Sequence, residues 1–319
     1  MKKARSISGM IKKSQAAHRL DKALTELFPY YTRSKIKSFI VNGLVKINGK
    51  IAVIPKKKVF GNEHVQIQLG VETTSYLKPQ AIPLNIIYED EDILVINKPH
   101  NFVVHPGAGN IDGTVLNGLL YHFPPIANIP RGGIVHRLDK DTSGLMVVAK
   151  NLLAQANLIK QLQTRKIIRE YEAIVIGNMK KNGIIEQPIA RHFTKRICMA
   201  INPKGKPATT HYSVIENFRF HTYIRLRLET GRTHQIRVHM LHLNHPLVGD
   251  PIYGWKNRSL SLVSNALSAL LHNFNRQALQ ATFLRLYHPV TSVEMTWNAP
   301  LQEDMLALIT ALRNDYKNN

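Results

Sequence analysis

The chain has 319 residues, 44% of them hydrophobic, which is enough for one substantial core and a smaller second one. Its 43 Lys and Arg stand against 21 Asp and Glu, and the formal net charge of +22 calls for a polyanionic partner, most simply a nucleic acid and less readily an anionic membrane face. The single cysteine, Cys198, excludes an intrachain disulfide framework and any zinc site built on several thiolates; no run approaches a membrane span, and the basic start is not followed by a signal-like apolar core, so a cytoplasmic protein is expected.

Residues 1–17 read as a mobile basic arm. From His18 to about Leu69 the chain has its own character, and residues 1–70 carry 15 Lys or Arg against 3 acidic residues. Leu20, Ala23, Leu24, Leu27 and Phe28 recur at helical spacing until Pro29 stops them. Thr32 can cap a second helix over Arg33–Val41, and Asn42-Gly43 and Asn48-Gly49 turn the chain through Val45–Ile47 and Ile51–Val53. Arg33, Lys35 and Lys37 leave the second helix partly cationic. So lopsided a charge in so small a module points to RNA or DNA contact. Gly70–Pro79 reads as a linker.

Beyond the linker, Ile93–Asn97 reads as a short buried strand ending at Lys98-Pro99, with Lys98 and His105 as candidate phosphate or base contacts. A helix is expected over Asp112–Tyr121, and the prolines at 124, 125 and 130 keep the next segment irregular. The stretch Gly132–Lys150, GGIVHRLDKDTSGLMVVAK, then sets a polar turn, His136–Ser143, before a buried strand, Leu145–Ala149. Two readings of that turn stay open from its residues alone. Its Asp and Ser can bond their own backbone, or its Arg, Asp and Thr can be held rigidly enough for chemistry.

Asn151 can cap a helix through Leu162, closed by Arg165 and Lys166 at the negative end of its dipole. In the strand REYEAIVIG, Arg169–Gly177, alternation sends Tyr171, Ala173 and Val175 to one face, and Tyr171 taken alone reads as core. Asn178–Pro207 is a basic excursion with Arg191, His192, Lys195, Arg196, Lys204 and Lys206, expected as a rim over a substrate cleft. Strands follow over His211–Asn217 and Tyr223–Glu229. In ETGRTHQIRVH, Glu229–His239, Thr233 can cap a helix carrying His234 and Arg237, and a guanidinium buried there demands an anionic partner. His234, His239, His242 and His245 have no acid at ligand spacing, so no metal is expected. Strands over Thr282–Tyr287 and Val293–Trp297 and a helix over Gln302–Arg313 close the chain. Strands and helices do not alternate regularly and no glycine-rich nucleotide loop occurs, so the class expected is α+β with a largely antiparallel sheet.

Two resemblances follow from these segments. RLDKAL at Arg19–Leu24, SKIKSFIVNGLVKING at Ser34–Gly49 and VQI at Val65–Ile67 resemble the S4 RNA-binding domain. That resemblance implies that Arg33, Ser34, Lys35 and Lys37, on the second helix, grip structured RNA. HRLDKDTSGLMVVAK at His136–Lys150, REYEAIVIG at Arg169–Gly177, ETGRTHQIRVHM with HPLVGDPIYG at Glu229–Gly254, and RQALQATFLRLYHP at Arg276–Pro289 resemble the RluA family of pseudouridine synthases, over essentially residues 18–319.

The family resemblance implies a pseudouridine synthase fold: α+β, a mixed and mainly antiparallel sheet around a catalytic cleft, preceded by the small S4-like domain. The expected domains are a flexible basic arm over 1–17, the S4-like domain over 18–75 and the catalytic domain over 76–319. It also implies a cofactor-independent isomerisation of uridine to pseudouridine in RNA. Asp139 is then the nucleophile or the promoter of a glycal intermediate, and Tyr171 stacks on the base and is a candidate to take the C5 proton. Arg237 pairs with Asp139, and Arg137 fills the space left by the flipped nucleotide. Arg232, His234 and Gln235 support the site or meet RNA, as Arg191 and Lys195 do from the basic excursion, and Leu138, Ile236 and Val238 line the pocket. The implied substrate is 23S ribosomal RNA, in its helix 69 stem-loop, free or within a large-subunit particle, acted on by a monomer. The alternatives are other 23S or transfer RNA sites, or a noncatalytic ribosome-assembly factor. Two positions depart from the family pattern: Asn101 stands where glycine is usual, and Gln280 where many members carry histidine.

Overall fold

The computed structural model describes residues 5–29, 31, 33–69, 78–107, 109–195, 197–254 and 263–317. Thr32, Arg196, residues 1–4 of the arm and 70–77 of the linker lie outside them, as does the Ser34 side chain. The chain divides into two compact units, Met1–Ser75 and Tyr76–Asn319.

In the first unit the elements are β1 (Arg5–Met10), α1 (Leu20–Leu27), α2 (Arg33–Val41), β2 (Val45–Ile47), β3 (Lys50–Ala52) and β4 (His64–Leu69). The strands form an antiparallel sheet in the order β1-β4-β2-β3. Leu20, Ala23 and Leu24 of α1 and Ile36, Phe39 and Ile40 of α2 bury helical stripes against Val45, Val65 and Ile67. The expectation of a mobile arm is corrected from Arg5 onward. β1 pairs along its length with β4, from Arg5 opposite Leu69 to Met10 opposite His64. Its lysine-rich start hid a period-two signal: Ile7 packs on the small core and Ile11, just after the strand, is fully buried in it.

The second unit contains β5 (Ile86–Glu89), β6 (Ile93–Lys98), α3 (Val115–His122), β7 (Ser143–Ala149), α4 (Leu152–Gln163), β8 (Ile168–Ile176), β9 (Gly183–Glu186), β10 (Ile189–Arg191), β11 (Met199–Ile201), β12 (Thr209–Asn217), β13 (His221–Leu228), α5 (Gln235–His242), α6 (Asn265–Asn273), β14 (Leu279–Tyr287), β15 (Glu294–Asn298) and α7 (Glu303–Lys317). A large sheet runs β5-β6-β7-β14-β8-β13-β12-β9, with β15 on β14, and β10 and β11 form a separate hairpin. Its pairs are antiparallel except β7 with β14. The sheet is covered on both faces, which is why β7 is buried along its whole length rather than alternating with polar residues. Met146, Val148, Tyr171, Ala173 and Val175 face one core, while Leu145, Val147 and Ala149 face another that α4 covers. Ile174 packs instead with α6 and α7.

The parallel pair is what positions the site. Gly144 of β7 lies opposite Ala281 of β14, and Ala281 lies opposite Tyr171 of β8. The polar turn that ends at Ser143 is thereby brought over Tyr171. Gly144 has φ +114°, and a Cβ there would stand 2.1 Å from the Ala281 carbonyl oxygen, so the close approach of the two strands requires glycine.

Candidate active site

Asp139 sits in the turn between His136 and Ser143, its side chain 17% exposed. The turn is closed by Thr142 N–H donating to the Asp139 carbonyl (3.1 Å). It is held from below by side chains far away in sequence. The ammonium of Lys98 donates to the carbonyls of Pro99, Phe102 and Lys140 at 2.7, 2.8 and 2.9 Å. Gln277 donates to the Thr142 hydroxyl (2.9 Å), and Arg276, itself clamped by Asp304, reaches the Asp141 carbonyl. Lys98 is only 1% exposed, so its assignment as an RNA contact is corrected: the side chain anchors the turn from inside. Burial draws its pKa down to about 7, against the pull of Asp141 and Asp139.

Arg237, near the start of α5, faces this turn. Its Nη1 meets Asp139 Oδ2 at 3.1 Å, while its Nε and Nη2 meet the two oxygens of Asp250 at 2.7 and 2.8 Å. The expected pairing with Asp139 is therefore present, and a second acid shares the guanidinium. Burial disfavours the Arg237 charge, but Asp250 and Asp139 more than offset that and raise its pKa above the ordinary guanidinium value. Sequence reading assigned no role to Asp250, which lies in the turn Gly249-Asp250-Pro251. The turn is real, since Asp250 Oδ1 also accepts from the amides of Ile252 and Tyr253. The signal available was the unpaired buried arginine itself, which needed more anion than one distant aspartate.

His234 begins α5 in a left-handed conformation, φ +55°, and caps nothing with its side chain. Thr233, expected as the cap, is exposed on the cleft wall instead. Gln235 Oε1 takes the orphan amide of Arg232 (3.0 Å). Gln235 is buried and its amide also bonds Thr209, Thr210 and Thr230, so the assignment of Gln235 to RNA is corrected to a structural one. His234 Nε2 lies 3.9 Å from Asp139, and its Nδ1 bonds the Tyr253 hydroxyl at 2.8 Å. Burial lowers its pKa, with Asp139 opposing, which favours the neutral ring.

Asp139, His234, Gln235 and Arg237 line a cleft of about 580 Å³ together with Tyr171, Arg137, Arg232, Leu138 and Ile236. Tyr171 is 5% exposed; burial raises its pKa, Arg169 opposes this and Asp139 adds to it. Arg137 is exposed on the cleft wall, and Arg232 is steadied by the Pro207 carbonyl (3.0 Å). Val238 does not join the lining; it borders a separate cavity of about 340 Å³ with Lys195. Arg191 and Lys195 flank the exposed loop of the β10–β11 hairpin, and half-buried His105 bonds the Pro106 carbonyl, so none of the three borders the cleft.

In the first unit, Arg33 and Lys37 converge with Arg19 on the buried carboxylate of Asp21, at 3.1, 3.8 and 3.0 Å. Their side chains stay about half exposed, so one acid orders three cations without covering them. Lys35 lies over the Phe39 ring. Among the described residues one group has metal-like spacing, Asp90, Asp92 and His288, but its atoms are engaged: Asp90 accepts from Tyr88, Asp92 and Ile93, and His288 bonds Asp90 and Thr291.

A carboxylate paired with a doubly clamped arginine, facing a tyrosine in a cation-rich cleft on this sheet, defines an RNA-modifying enzyme of the pseudouridine synthase class. The RNA pseudouridylate synthase family model matches residues 92–242, and the S4 domain model matches residues 18–65. The chain belongs to the RluA family of RNA pseudouridine synthases. Ribosomal large subunit pseudouridine synthase D of Escherichia coli (strain K12) is 56% identical over 311 residues, covering 98% of this chain and 95% of that protein. The protein of the same name in Yersinia pestis is 58% identical over 309 residues, covering 97% and 95%. Among solved structures, human RNA pseudouridylate synthase domain containing 1 is 28% identical with a TM-score of 0.52, covering 73% of this chain and 96% of that one. No helix among the described residues is long and apolar enough to cross a membrane.

Proposed function

We propose that the protein converts uridines of 23S ribosomal RNA to pseudouridine, in the helix 69 stem-loop, with Asp139, Tyr171 and Arg237 as its catalytic residues. The observation that carries this reading is the Asp139–Arg237–Asp250 ion-pair chain facing Tyr171 in one cleft. The similarity to proteins named for the large ribosomal subunit supports the substrate class, and the net charge of +22 suits a polyanion.

The target base leaves its stack and enters the cleft, and Arg137, exposed on the cleft wall, takes the vacated space. Arg237 pairs with Asp139 and orients its carboxylate. The carboxylate attacks C1′ or assists loss of the C2′ proton to a glycal, and the C1′–N1 bond breaks. The detached uracil turns in the cleft and C5 bonds to C1′ as the ester bond from C1′ to Asp139 breaks or, on the glycal route, as C2′ regains its proton. The C5 proton then passes to a base, for which Tyr171 is the candidate, and N1 regains a proton, so atoms balance without a redox partner or cofactor.

The test is isomerisation of transcribed 23S RNA, followed by release of tritium from 5-tritiated uridine and by mapping of the modified positions. The wild type forms pseudouridine in the helix 69 loop and Asp139→Ala forms none above background. Full activity in Asp139→Ala overturns the mechanism; modification confined to other 23S positions or to transfer RNA overturns the substrate.

A further inference from the structure

Arg169 is the buried cation that the proposed chemistry leaves unused. It lies two residues before Tyr171 on β8, so both side chains point to the same face of the sheet and both line the cleft. The residue is 8% exposed, and its Nε is shut off from solvent without a hydrogen-bond partner. No carboxylate pairs with it among the described residues. Its guanidinium lies against Gly231: a Cβ there would stand 3.0 Å from Nη1, so glycine leaves that side of the group open.

The contrast with its neighbours is sharp. Arg237 is shared by two acids, Arg276 is clamped by Asp304, and Arg165, close by on the cleft wall, is held by Glu229. A buried guanidinium without an anion is costly, and its missing partner is then carried by what enters the cleft. The charge does act on the site. It disfavours protonation of His136, whose pKa burial has already taken to about 3, and it opposes the rise at Tyr171.

Two anions could reach it, a backbone phosphate beside the target nucleotide or the uracil anion formed when the C1′–N1 bond breaks. The phosphate is favoured. It carries a permanent charge, so it offsets the burial of Arg169 from the moment of binding. Arg169 also stands one strand repeat from Tyr171, beside Gly231, and bonds neither member of the Asp139–Arg237 pair. Resting on the proposed function, we infer that Arg169 binds the phosphodiester flanking the target uridine and so fixes the register in which the strand enters the cleft.

Binding and turnover are measured on one stem-loop RNA from the helix 69 region with wild type, Arg169→Met and Arg169→Lys. Arg169→Met is expected to bind about tenfold or more weakly, the loss typical of a hydrogen bond to a charged group. Its plot of log affinity against log salt should be shallower by roughly 0.7–0.9, one phosphate contact. Arg169→Lys should keep the slope, and in both variants affinity should fall by a larger factor than the single-turnover rate at saturating enzyme. A neutral methylphosphonate at the flanking phosphate should weaken the wild type and leave Arg169→Met unaffected. Unchanged affinity with a fallen saturating rate overturns the inference and assigns Arg169 to the reacting base. Equal loss from the methylphosphonate in wild type and Arg169→Met, at each flanking position, overturns it as well. If Arg169→Met does not fold, Arg169→Lys and the modified RNA on wild type carry the test. Wild-type turnover reports on the functional reading separately, because the binding difference is read even on RNA in which no pseudouridine forms.

Discussion

Replacing Asp250 by Ala removes a carboxylate that touches no substrate in the proposed reaction and yet orders the group that does. Its side chain is fully buried and takes four bonds: Arg237 Nε and Nη2 at 2.7 and 2.8 Å, and the amides of Ile252 and Tyr253 at 2.9 and 3.0 Å. Removing one partner of a buried ion pair costs about 3–5 kcal/mol, and each amide left without an acceptor adds roughly 1 kcal/mol. Asp139 remains as a partner for Arg237, so the low end applies, and with the two amides a total of about 5 kcal/mol is expected. Against a usual domain stability of about 5–15 kcal/mol that is a large share. The guanidinium, no longer gripped by two parallel bonds, loses its fixed approach to Asp139, and the single-turnover rate should fall by about 10- to 100-fold. Asp250→Asn separates the two effects: its Oδ1 still accepts from the amides, but its NH2 now meets Arg237, so the turn survives better than the rate does. Urea unfolding and tritium release from 5-tritiated uridine read the two quantities. An Asp250→Ala protein within about 1 kcal/mol of wild type, with an unchanged rate, would refute the reasoning.

Lys98 links stability to pH. Its pKa in the folded protein is about 7, below the ordinary 10.5, so between these values the unfolded chain holds a proton that the folded protein has released. Stability from this group therefore rises with pH over that window, by at most about 1.4 kcal/mol per pH unit. Lys98→Met, which lacks this term, should fall further behind the wild type in urea unfolding at pH 9 than at pH 7; a constant difference contradicts the assignment. Gly144→Ala forces a Cβ to within 2.1 Å of the Ala281 carbonyl at a φ of +114°. It should cost about 4 kcal/mol or more in thermal or urea unfolding, because two paired strands must separate. A loss below about 1 kcal/mol would mean that β7 and β14 do not approach so closely.

What was legible in the sequence was what local chemistry determines. The limits of α2 follow from its apolar spacing and the Asn42-Gly43 turn. Asn151 caps α4 as its side chain allows, accepting from Ala154 at 2.8 Å, and the alternation in β8 sends Tyr171, Ala173 and Val175 to one core. What was not legible depends on partners distant along the chain. Lys98 reads as a surface cation because nothing nearby in sequence reveals that the Lys140 carbonyl will sit over it. Gln235 reads as an RNA contact until Thr209 and Thr210 are brought against it by β12. β1 was hidden by its own charge, since Ile7 shows its role only once β4 lies beside it.

The same dependence on partners separates two kinds of arginine that motifs cannot distinguish. Arg237 and Arg276 each lie among buried groups with acids already in place, so their charge is spent on building the site and is not available to RNA. Arg33 sits at the opposite extreme. It is half exposed and leans on Asp21, so water screens whatever phosphate it meets. Arg169 has burial like the first pair and, among the described residues, no acid beside it. At a buried position the same unit charge acts through a lower effective dielectric than at the surface of the S4-like unit. One contact at Arg169 should therefore weigh more in RNA affinity than one at Arg33. On the inference drawn for Arg169, the surface cations should set how strongly the chain is drawn to RNA in general, and Arg169 where along the strand it stops.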